Sequence, residues 1–346
     1  MSDAQVIGRL LDEYHERSVA PSDIEIVAGS VHEARITYWL RAVSGGAQLV
    51  RAYRCDSAVP VHARGPFTET VTDWLLGRAE TLDALAAAGY VAPRPVLTRT
   101  GELIAVAGPW LGWATTYIPG SVIQPTPDQL SSLGSALASL HRVIVGGSGR
   151  RLSSRHPALA VPMTLARLDA VAEMLPAEWS SMAAAFRQTV LAVATAAPAA
   201  PETVVHGDVW ARNAVEVAAD GSVVLIDWES SGIGLAVLDL GSALLECHLD
   251  SGVPDLLPGA WLISPDESRI AAIARGYSSV RGLSRAELAL LPDAVRFATA
   301  VVGAIHFELA LVEGVSGPTM DARLARLQNR LDVAEDVATL ALRHLT

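Results

Sequence analysis

The chain has 346 residues, 51% of them apolar and only 18% charged, with a formal net charge of −11. That balance describes a globule with material for one bilobal domain or two packed ones; it excludes a disordered or fibrous chain, and the lack of clustered basic residues argues against a nucleic-acid partner. Every one of its Lys+Arg positions is arginine, which excludes a Walker A loop and Schiff-base or pyridoxal chemistry, since both need a lysine.

The first 16 residues lack the cationic start and apolar run of a signal peptide, and no uninterrupted apolar stretch reaches the ~20 residues that span a bilayer. A cytoplasmic protein without membrane association is expected. Val6, Leu10, Leu11 and Tyr14 recur at helical spacing and predict a short leading helix. After Pro21 the period changes: Ile24 and Ile26, residues 36–40 and residues 48–53 read as three antiparallel strands, separated by Gly29-Ser30 and by Ser44-Gly45-Gly46. Cys55 lies just beyond; with Cys247 it makes a pair too sparse for a disulfide scaffold, so both are expected to be reduced. Residues 70–88 predict a helix on the stripe Trp74, Leu75, Leu82 and Leu85, ended by Gly89. Pro93 and Pro95 introduce extended segments at 96–98 and 103–107 and a last strand near 113–118.

Beyond Pro119-Gly120 helices dominate. Residues 127–143 carry Leu130, Leu133, Leu137 and Leu140 on one face; 146–158 read as a Gly/Ser/Arg loop; further helices are expected at 163–174, 178–196, 236–248, 267–277, 285–313 and 319–344. In the last of these Leu324, Leu327, Leu331, Ala334 and Ala338 form a stripe that suits packing on the other helices or a dimer seam, so monomer and homodimer both remain open. The expected fold is α+β and bilobal, with a small five-stranded antiparallel lobe over residues 1–118 and a larger, mainly helical lobe over 119–346.

The chemistry concentrates in His206-Gly207-Asp208, Asn213 and Ile226-Asp227. A strand ending at Val205 meets Gly207, which lets the backbone turn so that the Asp208 carboxylate can project. Two short apolar runs flank Ala219-Asp220-Gly221, a strong hairpin signal, so the chain returns and brings Asp227 beside Asn213. Magnesium takes hard oxygen ligands, often only one or two from protein; Asn213 and Asp227 supply them, and Asp208 remains to orient a substrate hydroxyl and accept its proton. Arg212 either contacts the transferring phosphate or makes a salt bridge within the loop. Trp210 either packs on the hairpin or stacks on a substrate ring.

These residues, with the Gly234 to Asp239-Leu240 region, resemble the aminoglycoside phosphotransferase and choline kinase superfamily, whose fold is similar to that of protein kinases. The resemblance covers about residues 20–310. It implies Asp208 as catalytic base, Asn213 and Asp227 as Mg²⁺ ligands, Asp239 as a brace for the catalytic loop, and His206 and His141 as scaffold. It further implies a strand-three cation on the α- and β-phosphates, here Arg51 in place of the family's lysine, with Glu80 or Glu69 as its acidic partner; Arg78 stands at the usual spacing. Residues 28–33, including Ser30, would cover the phosphates, and Thr116, Tyr117 and Ile118 would form a hinge against the nucleobase of ATP or GTP. Glu229, Glu246, Asp250, His306 and Glu308 fall on elements that line the acceptor pocket in relatives, an acidic wall suited to amines. The implied activity is phosphoryl transfer to a hydroxyl of a small molecule, an antibiotic first. A metabolic kinase for a sugar, choline-like alcohol or homoserine is the alternative, and a nucleotide-binding pseudokinase the other.

Overall fold

The computed structural model describes residues 3–14, 24–30, 35–40, 48–55, 70–144, 160–249, 262–312, 314 and 316–345. The chain divides into two compact units that meet in sequence at Pro119 and Gly120.

The first unit contains α1 (Asp3–Tyr14), β1 (Ile24–Ser30), β2 (Arg35–Leu40), β3 (Gln48–Arg54), α2 (Val71–Ala87), β4 (Pro95–Val96), β5 (Ala105–Ala107) and β6 (Trp110–Thr116). Its antiparallel sheet runs β1-β2-β3-β6-β4, and β5 also pairs with β6. The sheet thus has six strands where five were expected. The extra one arises because β6 hosts two short partners: β4 pairs at Ala114 and Thr115, while residues 105–107 turn back at Gly108 onto Trp110 to Gly112. The leading helix is tied in by burial of Leu10, Leu11 and Tyr14 against Val50, Ala52, Ala105 and Ala114. The Tyr14 hydroxyl donates to the Gly112 carbonyl at 2.8 Å and accepts from the Ala105 N–H; burial pushes its pKa up. Thr70 caps α2 by accepting the Asp73 N–H at 3.1 Å. The predicted stripe of Trp74, Leu75, Leu82 and Leu85 is wholly buried.

The second unit contains β7 (Gly120–Val122), α3 (Pro127–Leu140), α4 (Val161–Val171), α5 (Ala177–Ala196), β8 (Glu202–Val205), β9 (Ala214–Val217), β10 (Val223–Leu225), β11 (Gly232–Leu235), α6 (Ala236–Glu246), α7 (Glu267–Val280), α8 (Arg285–Phe307) and α9 (Pro318–Leu345). Two small sheets, β10-β9-β7 and β11-β8, sit among the helices. The expected loop at 146–158 lies outside the described residues. Helices α3 and α7 cross backbone to backbone: a Cβ at Gly276 would sit 1.9 Å from the Ser131 carbonyl oxygen. Helix α8 begins with a capping box, Ser284 with Glu287. With its continuation to Val312 it is long and apolar enough to cross a membrane. Its flanks are instead covered by α5, α6 and α9, which accounts for its composition. Leu324, Leu327, Ala334 and Ala338 of α9 are buried against the other helices, the first of the two readings of that stripe.

Candidate active site

The site is built around one buried carboxylate. Strand β11 pairs antiparallel with β8, Gly232 opposite Val205, and leads directly into α6. This sets Asp239, in the first turn of α6, beneath the residues that follow β8. The Asp239 carboxylate, fully buried, accepts the His206 N–H on Oδ2 at 2.6 Å, the Gly207 N–H on Oδ1 at 2.9 Å and His141 Nε2–H on Oδ2 at 3.2 Å. Burial works to raise its pKa, but the hydrogen bond from His141, the favourable electrostatics of the two imidazoles and the His206 N–H outweigh burial and hold it below the usual carboxylate value. The polar chain continues outward: the Tyr277 hydroxyl donates to His141 Nδ1 at 2.8 Å and accepts from Arg281, and Arg281 Nη2 donates to Glu287 Oε1 at 2.7 Å.

His206 is equally committed. Its Nε2–H donates to the Ile226 carbonyl at 2.8 Å, its Nδ1 accepts the Asp208 N–H at 3.3 Å, and its ring meets Trp228 edge-on at 4.7 Å. Both ring nitrogens are therefore occupied, which leaves none to act on a substrate. Trp228, which periodicity does not single out, is buried and donates its indole N–H to the Leu225 carbonyl. Gly207 has φ +83°, and a Cβ there would lie 2.1 Å from the Ser230 carbonyl oxygen. Gly207→Ala is accordingly expected to cost about 2–4 kcal/mol in strain and displacement and to lower the melting temperature by roughly 5–10 °C. A calorimetric scan showing no change would contradict this geometry.

The hairpin has the expected form. Strands β9 and β10 pair with Ala214 opposite Leu225, and the Ile226 N–H donates to the Asn213 carbonyl at 2.9 Å, extending the ladder by one step. Asp220 closes the turn by accepting from the Ser222 N–H and hydroxyl. Asp227 thus follows a residue bonded to Asn213, and it is the one non-glycine residue with positive φ (64°) among those described. Such backbone is disfavoured by about 1–3 kcal/mol and is retained where a side chain must be aimed. Asn213 Nδ2 donates to the Asp208 carbonyl at 3.0 Å and to Asp208 Oδ2 at 2.7 Å. This fixes the Asp208 rotamer and turns Asn213 Oδ1 the other way. Asn213 Oδ1 and the Asp227 carboxylate are hard oxygens of the kind that hold Mg²⁺.

A cavity of about 280 Å³ opens onto Asp208 and is lined by Trp210, Glu246, Leu249, Val302, His306 and, from α9, Arg323, Arg326, Leu327 and Arg330. Of the residues expected in the acceptor wall, Trp210, Glu246 and His306 are there. Glu229 and Glu308, the latter paired with Arg167 at 3.1 Å, are not among the residues that line it; Asp250 lies outside the described residues. The expected acidic wall is corrected in character. Glu246 is paired with Arg330, and α9 contributes arginines that sequence reading assigned to no site. His306 is held neutral: burial, reinforced by Arg323 and Arg326, draws its pKa down to about 4. Arg212 lies over the Trp210 ring, 5.2 Å from its centroid, a cation–π contact within the loop.

In the first unit, Arg51 lies on β3 opposite Trp113, is 8% exposed, and has its guanidinium 5.9 Å from the Trp113 ring centroid. On α2 it is Arg78 that faces inward, 1% exposed, while Glu80, two residues on, is half-buried on another side. The Thr116 N–H donates to the Arg94 carbonyl, and its hydroxyl accepts the Arg94 N–H, both at 2.9 Å. Its N–H is therefore used within the sheet, whereas Tyr117 and Ile118 follow the end of β6. Ser30 ends β1, opposite Arg35.

Residues 67–287 match the model of the phosphotransferase enzyme family, and the chain belongs to that family. Among curated proteins it is 29% identical over 227 residues to the homoserine kinase of Xanthobacter autotrophicus, a match that spans 62% of this chain and 63% of that relative. Among solved structures it resembles an amicoumacin kinase in complex with AMP-PNP, Ca²⁺ and Ami, with a TM-score of 0.69 and 15% identity over 97% of this chain and 94% of the other. It also resembles spectinomycin phosphotransferase APH(9)-Ia in complex with ADP and spectinomycin, with a TM-score of 0.60 and 14% identity over 99% of this chain and 98% of the other. At these identities the structural likeness establishes the shared fold.

Proposed function

We propose that this chain transfers the γ-phosphate of ATP or GTP to a hydroxyl of a small molecule. The observation that carries the reading is the Asn213 side chain bonded to Asp208 at 2.7 Å with Asp227 one ladder step away. Asp208, held in one rotamer and facing the cavity, orients the acceptor hydroxyl and takes its proton as the oxygen attacks the γ-phosphorus. Asn213 Oδ1 and Asp227 would hold Mg²⁺, which when bound supplies neutralising charge for the phosphates. Residues 1–118 serve the nucleotide: Arg51 contacts phosphate with a guanidinium fork in the role of the family's lysine, Ser30 belongs to the segment over the phosphates, and the nucleobase contacts pass to Tyr117 and Ile118. Glu80, half-buried on α2, is the candidate for pairing with Arg51, and Glu69 lies outside the described residues. Residues 119–346 hold the catalytic loop and the acceptor.

For the acceptor, a small amino-acid-like alcohol of the homoserine kind is favoured by the sequence relatives and by a cavity of about 280 Å³, just under the ~300–1,000 Å³ usual for drug-sized ligands. An antibiotic acceptor is the second reading, supported by the fold shared with amicoumacin and spectinomycin kinases. A panel of both classes separates them: turnover of L-homoserine with none of any antibiotic upholds the first, and the reverse pattern upholds the second. Metal dependence provides a further check. EDTA should abolish transfer and Mg²⁺ restore it, and Asn213→Ala should raise the Mg²⁺ concentration for half-maximal rate about tenfold or more. Transfer that persists in EDTA would remove Asn213 and Asp227 from their assigned role.

A further inference from the structure

Helices α3 and α7 approach closely at two glycines: besides Gly276 against Ser131, a Cβ at Gly134 would lie 2.3 Å from the Ile273 carbonyl oxygen. That approach brings the buried Tyr277 of α7 against His141, which ends α3. Helix α7 stops at Arg281, whose N–H donates to the Tyr277 carbonyl at 2.9 Å and whose guanidinium turns back to lie 5.9 Å from the Tyr277 ring centroid. Arg281 Nη1 donates to the Tyr277 hydroxyl oxygen at 2.9 Å, and the buried Glu287 carboxylate holds the other arm of the fork by accepting from Nη2. Glu287 is itself fixed, because its second oxygen accepts the Ser284 N–H at 2.9 Å in the cap of α8.

These bonds run in one direction. A guanidinium has donors and no acceptor, so the Tyr277 oxygen accepts from Arg281 and its own proton goes to its remaining neighbour, His141 Nδ1 at 2.8 Å. Burial pushes the Tyr277 pKa up, which keeps that proton in place. An Nδ1 that accepts leaves the imidazole proton on Nε2, and Nε2 faces Asp239 Oδ2 at 3.2 Å. In the opposite tautomer a bare nitrogen would face the carboxylate, two acceptors with no proton between them. We infer that Tyr277 and Arg281 are positioning residues for the phosphotransfer proposed above: by fixing the His141 proton on Nε2 they hold Asp239, and with it the His206 and Gly207 N–H groups and the turn that presents Asp208. Neither residue lines the cavity beside Asp208, so both act through His141 and neither is itself catalytic.

The test reads the tautomer and the reaction separately, on the full chain. Two-bond ¹H–¹⁵N correlation spectra, with the His141 signal assigned by its loss in His141→Leu, should show a protonated Nε2 and a bare Nδ1. A proton on Nδ1 in the wild type, with or without one on Nε2, would overturn the inference whatever the variants do. Tyr277→Phe, compared at a temperature where its melting curve shows it folded, should lose that single tautomer and speed amide exchange at His206 and Gly207 about tenfold or more. Its kcat should fall about tenfold while the KM for nucleotide stays within about twofold. Arg281→Ala should act in the same direction, and Arg281→Lys, which keeps a donor for the Tyr277 oxygen, should recover most of the loss. In the His141→Leu background Tyr277→Phe should change kcat less than about twofold, because its effect passes through His141; a merely structural tyrosine would cost as much there as in the wild type. That undiminished cost, or a folded Tyr277→Phe with the His141 tautomer and the Gly207 exchange unchanged, would overturn the inference. Should Tyr277→Phe not fold, the wild-type spectrum and the two Arg281 variants make the same decision. A wild type that phosphorylates no hydroxyl acceptor sinks the kinase reading alone, since the tautomer and exchange measurements still decide what holds the turn.

Discussion

Asp208→Asn is expected to lower kcat by about a thousandfold or more, with the Kd for nucleotide within about threefold of the wild type. The size follows from what is removed. A positioned base contributes roughly 10²–10⁴-fold, and the substituted amide can neither take the proton nor accept a hydrogen bond from the hydroxyl in the same orientation. The fold should survive, because Asp208 is exposed and its backbone N–H and carbonyl, bonded to His206 and Asn213, are untouched. Stopped-flow nucleotide binding and steady-state turnover separate the two effects. A variant that retains a kcat within tenfold of wild type would mean that Asp208 is not the base.

The second large effect is at Asp239. Asp239→Ala removes the acceptor for the His206 and Gly207 N–H groups and for His141, all in a fully buried setting. Orphaned buried donors cost about 1–3 kcal/mol each, so a loss of roughly 4 kcal/mol, read as a fall of about 8–16 °C in melting temperature, is expected. Activity should fall further than stability predicts at temperatures where the variant is folded, because those two N–H groups position the turn that carries Asp208. The acid limb of stability should change as well. The folded-state pKa of Asp239 lies below its unfolded value of about 3.9, so its stabilisation is present at neutral pH and is lost as pH falls from about 4 through the folded value. Asp239→Asn should flatten that limb. A pH–stability profile unchanged by the substitution would show that the carboxylate's charge is not what the loop rests on.

Local features of the sequence foretold much of this architecture, because a stripe or a turn carries its own signal. The α2 stripe, the Asp220-Gly221 hairpin and the glycine after His206 each act over a few residues, and each stands where expected. What escaped depends on partners distant in the chain. Strand β11 is a Gly-Ile-Gly-Leu segment with no alternation to read; it becomes a strand only by pairing with β8. Strand β7 was read as punctuation at Pro119-Gly120, yet it pairs with β9, almost a hundred residues on. The sixth strand of the first sheet depends on β6 serving two partners along its length.

The cavity beside Asp208 illustrates the same limit at the level of chemistry. Arg323, Arg326 and Arg330 each sit one position before the apolar residues Leu324, Leu327 and Leu331. In sequence that pattern reads as the solvated flank of an amphipathic helix. Only the packing of α9 on α6, α7 and α8 turns the flank toward a cavity shared with Asp208. Conversely, Glu229 and Glu308 are expected in the acceptor wall by resemblance, yet neither lines this cavity, and Glu308 is paired with Arg167.

The most direct test of the central claim is ³¹P NMR of the purified chain with ATP, Mg²⁺ and L-homoserine, followed through a single turnover. The expected result is a new phosphomonoester resonance growing in step with ADP, absent in Asp208→Asn and in EDTA. ADP accompanied only by inorganic phosphate, or an unchanged spectrum with every hydroxyl acceptor tried under either nucleotide, would contradict the assignment of this chain as a small-molecule kinase.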